Sequence, residues 1–158
     1  MEYAYDEENA VQLTGNELGT AHSLKELKDK VRQYARENFV YDYTGKEFEI
    51  KSCGNSVRIS MGGVKHTLGH PKASEDDMYA VIALPKLLER SIKGEDGETY
   101  SKRPNINRVE RYYASLKIGK NRYIAEMIVL VEKGREEKGT LSHVRFFHHQ
   151  RIKGPVDP

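Results

Sequence analysis

The sequence predicts an α+β domain in which N-terminal helices pack on a C-terminal antiparallel β-meander. Apolar residues recur at three- and four-residue spacing within residues 23–38 and 74–92, whereas from residue 109 onward they alternate one by one. The chain has 158 residues, enough for one hydrophobic core and too few for two ordinary domains. Helices first and strands afterwards is the α+β order.

Residues 1–20 show neither period and are expected to form an acidic lead-in or linker, dispensable for activity, ahead of a single domain over 21–154. The first helix begins after Ser23, with Leu24, Leu27, Val31, Tyr34 and Ala35 on one face and Glu26 placed for a capping box, and ends near Asn38. Phe48 and Ile50, then Val57 and Ile59, alternate on either side of Cys53-Gly54-Asn55, which reads as a hairpin. Gly62 and Gly63 are expected to break the second of these strands, with one or two short turns from Val64 to His70 before Pro71.

Ser74, Asp76 and Asp77 open the second helical region, which Pro85 should kink or divide in two. Residues 93–108 read as a long exposed loop. Three strands follow, Val109 to Ile118, Arg122 to Glu132 and His143 to Lys153, joined by Gly119-Lys120-Asn121 and by a charged connection over 133–142.

Period-two geometry sorts these strands into two faces. Tyr112, Ala114, Leu116, Ile118, Tyr123, Ala125, Met127, Val129, Val131, Val144, Phe146 and Ile152 should meet the helices. Arg111, Tyr113, Ser115, Lys117, Arg122, Glu126, His143, Arg145, His149 and Arg151 should not. By the same alternation His148 turns inward as a packed histidine.

Composition narrows the partners. The net charge is +2, yet residues 1–19 carry Glu2, Asp6, Glu7, Glu8 and Glu17 without a Lys or Arg, so the remainder is distinctly basic and suits a polyanion. Cys53 is the single cysteine, which leaves no internal disulfide and no cysteine pair for structural zinc. No apolar run is long enough for a membrane span. No metal or other cofactor is expected.

The polar face carries the chemistry of metal-independent RNA cleavage, which needs a base for the 2'-hydroxyl proton, an acid for the leaving 5'-oxygen and cations beside the phosphate. His149 is the leading proton-transfer residue, Arg145 a phosphate clamp, and Glu126 a base or the group that orients a histidine. Tyr113 supports them, with Arg111, Ser115, Lys117 and Arg151 as substrate contacts. The segment Lys65-His66-Thr67-Leu68-Gly69-His70 forms a second candidate site, because His66 and His70 share a face if it is helical.

The strings TGNELG, ELKDKVRQYA, TGKEFEIKSCGNSVRISMGGVKHTLGH, ALPKLLERSI, RYYASLKIGKNRYIAEMIVLVE and FFHHQ, in this order, resemble the third of the large polyvalent-protein-associated domains, found in phage polyvalent proteins and C-terminal toxin modules. The resemblance covers roughly residues 12–152 and implies functional roles for Lys65, His66, Tyr113 and His149. At the level of fold it is similar to the barnase/EndoU/colicin/RelE group of ribonuclease toxins. That similarity implies a barnase/RelE-like fold, RNA as substrate with transfer RNA the first expectation, and a cognate immunity protein. It also implies a cytoplasmic site of action after delivery as part of a secreted toxin or with a phage particle. The alternative is a non-catalytic module of a phage or toxin polypeptide that binds nucleic acid or protein.

Overall fold

The computed structural model describes residues 3–39, 46–69, 73–94, 106–132, 134 and 138–148. In chain order these form β1 (Val11–Leu13), α1 (Leu24–Asn38), β2 (Lys46–Glu49), β3 (Ser56–Ile59), α2 (Met61–Leu68), α3 (Glu75–Ala80), a 3₁₀ turn (Val81–Ala83), α4 (Leu84–Arg90), β4 (Ile92–Lys93), β5 (Ile106–Ile118), β6 (Asn121–Glu132) and β7 (Lys138–His148). One sheet runs in the order β1-β5-β6-β7-β3-β2, with β4 also pairing β5. The helices cover one face, and their shared core joins Leu27 and Val31 of α1, Leu84 and Leu88 of α4, and Tyr112, Leu116, Met127, Val129 and Val144 of the meander. Among the described residues no helix is long and apolar enough to cross a membrane.

The α+β order and the antiparallel meander β5-β6-β7 are as expected, but the sheet is mixed. Two pairings are parallel: β1 with β5, and β3 with β7. The hairpin β2-β3 thereby joins the meander edge, which alternation within single strands has no means to specify.

Local signals explain the starts of three helices. Ser23 caps α1 by accepting from the Glu26 amide, while the Glu26 carboxylate turns back to the His22 amide at 2.7 Å rather than to that of Ser23. Ser74 and Asp77 form a complete capping box on α3. Pro85 sits in the first turn of α4, where its missing N–H costs no helical bond, so the region divides into two helices as the proline predicts.

Three expectations are corrected. Gly62 and Gly63 lie inside α2 instead of ahead of it, with Ser60 as N-cap. Gly63 is needed there because α2 presses against the β7 backbone: a Cβ at this position would stand 2.7 Å from the Leu141 carbonyl oxygen. The expected loop over 93–108 is shortened at both ends, by β4 and by β5 beginning at Ile106. The second half of the connection over 133–142 is strand, since β7 begins at Lys138. Register on β6 shifts between Ile128, opposite His143, and Val129, opposite Leu141, so Ser142 is an extra residue in β7.

The lead-in is docked, and although it shows no strand period, three of its residues form β1 between turns. Val11–Leu13 pair with Leu116–Ile118, Arg90 donates to the Ala10 carbonyl at 3.1 Å, and Lys30 donates to the carbonyls of Leu18 and Thr20.

Candidate functional site

Register across the meander assembles the outer face in rungs. Arg111, Ile128 and His143 make one rung; Tyr113, Glu126 and Arg145 the next; Ser115, Ile124 and Phe147 the third; Lys117 and Arg122 the fourth. Alternation placed the polar residues among these on one side, and the pairing brings them opposite one another.

The second rung is the most tightly bonded. Arg145 Nε donates to Glu126 Oε1 at 2.8 Å and Nη2 bonds the same oxygen, while Tyr113 Oη donates to Glu126 Oε2 at 2.8 Å. Arg111 Nε lies 4.0 Å from Oε2. Glu126 is buried, whereas the Arg145 side chain is half exposed and its guanidinium sits 5.7 Å from the Phe147 ring centroid, in cation–π contact. Burial, and then the Glu126 carboxylate that accepts its proton, hold the Tyr113 hydroxyl above the ordinary tyrosine range.

At the first rung the exposed His66 of α2 meets His143, with ring centroids 4.6 Å apart, and Ser142 Oγ lies 3.0 Å from His143 Nδ1. The edge of β7 creates this meeting. Thr67 Oγ1 donates to the Gly63 carbonyl and accepts from the Val144 amide at 3.1 Å, so one hydroxyl fastens α2 to β7 beyond the stretch that pairs with β3. A cleft of about 270 Å³ lies beside it, lined by Thr67, Ala73, Asp77 and Val144 to Phe147.

The remaining expected residues fall as follows. Lys65 is exposed on α2, and Thr67 is buried with its hydroxyl spent on the two bonds just given, which leaves it a positioning role. Ser115 is only 2% exposed, covered by the chain's own N-terminal segment. Lys117 is partly exposed in the last rung. His148 does share the helix-side face, at the exposed end of β7, with its ring perpendicular to Tyr123 at 5.2 Å instead of packed in the core. His70, His149, Arg151 and Ile152 lie outside the described residues. Among the described residues no group of three His, Cys, Asp or Glu side chains is arranged to hold a metal ion.

Sequence reasoning missed a second polar cluster on the helix side. Glu110 is 2% exposed, and it accepts from Tyr112 Oη at 2.7 Å, Arg108 Nε at 2.8 Å and Lys93 Nζ at 3.1 Å. Burial pushes its carboxyl up, but the three donors outweigh burial and hold it below the ordinary range. Burial likewise raises the Tyr112 hydroxyl, which also accepts from Asn55. The available signal was the parity of Glu110 with Tyr112, a carboxylate at an inward position of an apolar strand.

A family model described as Large polyvalent protein-associated domain 3 matches residues 22–147. No curated protein and no solved structure matches the chain.

Proposed function

The chain belongs to the large polyvalent protein-associated domain 3 family of phage polyvalent-protein-associated domains, and from that premise we propose that it is a metal-independent ribonuclease working on its outer sheet face. The observation that carries the reading is the second rung and its neighbours. A carboxylate, a tyrosine, two arginines and His143 stand on adjacent rungs of the outer face, and His66 of α2 meets His143 at the β7 edge.

In this reading Glu126 takes the proton of the 2'-hydroxyl, whose oxygen attacks phosphorus. The bond from phosphorus to the 5'-oxygen breaks, and His66 or His143 returns a proton to that oxygen, leaving a 2',3'-cyclic phosphate and a free 5'-hydroxyl. Arg145, half exposed, turns from Glu126 to the phosphate, and Arg111 stands beside the developing charge. His149, singled out by the resemblance, is a further proton donor, and transfer RNA is the first substrate to try. In a toxin setting, a cognate immunity protein would cover this face.

A second reading has its own observation. Both Glu126 oxygens already carry short bonds, to Arg145 and to Tyr113, as in a brace that stiffens a binding surface. In that case the face holds RNA without cutting it. Incubation of the chain with total RNA in excess EDTA, beside Glu126→Gln and His149→Ala variants, separates the two. Fragments ending in cyclic phosphate and lost in the variants support cleavage. Intact RNA with a salt-sensitive mobility shift supports binding alone.

A further inference from the structure

Residues 3–9 cross the outer face on its β5 side, and they lie ahead of residue 22, where the family match begins. Stacking, hydrogen bonds and an ion pair hold them. The Tyr3 ring stacks on Tyr113 with centroids 5.8 Å apart and planes 18° from parallel. Ser115 Oγ lies 2.8 Å from Tyr3 Oη and accepts from the Asp6 amide at 2.7 Å. Arg122 Nε donates to Glu7 Oε1 at 2.8 Å.

The receiving residues are fixed in place. The Tyr113 ring lies so close to Gly94 that a Cβ there would approach its Cε2 to 2.5 Å, and Tyr113 Oη is tied to Glu126. The occupant therefore reports what this surface accepts: a flat ring over Tyr113, a hydroxyl at Ser115 and an anion at Arg122. One nucleotide of single-stranded RNA offers the same set, in its base, its 2'-hydroxyl and its phosphate.

We infer that Tyr113, Ser115 and Arg122 form a nucleotide subsite for single-stranded RNA, which the chain's own residues Tyr3 to Glu7 occupy as an internal mimic. The inference rests on the RNA reading above and names where a base is held and what holds it closed. Charge favours exchange of the occupant, since residues 1–19 carry five carboxylates and no Lys or Arg against the cationic face. The anchor is separate from the mimic: β1 pairs with β5 and Arg90 binds the carbonyls of Asn9 and Ala10, so the segment from Tyr3 to Glu7 lifts without unpairing the strand.

The test is fluorescence anisotropy with a short end-labelled oligouridylate whose intactness is checked on a gel. The full chain is compared with a Tyr3→Ala/Glu7→Ala double variant. The released variant is expected to bind about tenfold tighter, the gain from uncovering one stacking position. Adding Arg122→Ala should cancel the gain, and a peptide of residues 1–9 should compete with the RNA.

Equal affinity of both chains, with Arg145→Ala weakening each, overturns the subsite and leaves the RNA reading standing. Absence of binding by either, with melting transitions intact, overturns the RNA reading and the subsite with it. Self-association of the released variant without a gain in RNA affinity also overturns the subsite and assigns the face to protein. If the double variant fails to fold, Tyr3→Phe, which keeps the stack and loses the hydroxyl, decides by the same comparison, with a smaller gain expected.

Discussion

Arg145 and Glu126 face each other across β6 and β7, with both guanidinium bonds converging on Oε1 while Tyr113 takes Oε2. A carboxylate divided in this way is oriented by its neighbours and is only 6% exposed, yet its principal partner reaches solvent. Orientation by one group that is able to leave for a phosphate is what a general base beside a substrate anion requires.

Glu126→Gln preserves the volume and removes the carboxylate proposed as the base. The rate of RNA cleavage is expected to fall by about 100-fold or more. The fold should persist, because the amide still accepts from Tyr113, and a thermal melt beside the rate assay reads both. An unchanged rate removes Glu126 from proton transfer.

Arg145→Ala should weaken RNA binding and flatten its salt dependence. On a single strand, each phosphate that is no longer neutralised reduces the slope of log affinity against log salt by about 0.7. Titrations of oligouridylate at several salt concentrations measure it. A parallel shift with an unchanged slope would mean that Arg145 contacts no phosphate.

Glu110 should make stability depend on acid. Its folded carboxyl sits below the unfolded value of about 4.3, so the native state binds fewer protons than the unfolded chain there. Its contribution is complete above that value and is lost as pH falls through the folded pKa. Glu110→Gln is expected to cost about 2 kcal/mol near neutrality and to flatten the acid limb of the stability curve. Chemical denaturation across the acid range checks both.

The two adjacent glycines of α2 should respond differently. Gly63→Ala forces a methyl group against the Leu141 carbonyl, a backbone atom with little room to yield, and is expected to destabilise by about 1–3 kcal/mol. Gly62→Ala meets nothing nearer than Ser60 Oγ at 3.6 Å and should be neutral or stabilising by up to about 1 kcal/mol. Paired urea titrations compare them.

The sequence by itself determined what local geometry governs. Alternation along β5, β6 and β7 assigned Tyr113, Glu126 and Arg145 to one face and Tyr112, Met127 and Val144 to the other, because successive strand residues must point oppositely. Ser23, Ser74 and Pro85 marked helix ends through bonds made within a few residues of themselves.

Only the tertiary structure decided which distant residues meet. His66 reaches His143 because Gly63 admits α2 to the β7 edge, Glu110 is buried because Lys93, Arg108 and Tyr112 converge on it, and Tyr3 lies on Tyr113 because β1 docks beside β5. Each contact joins residues far apart in the chain or depends on strand order, and its free energy comes from surfaces that exist only once the sheet has formed. The acidic lead-in therefore has no period of its own to read, and its place is set by β1 pairing with β5 and by the residues that receive Tyr3, Asp6 and Glu7.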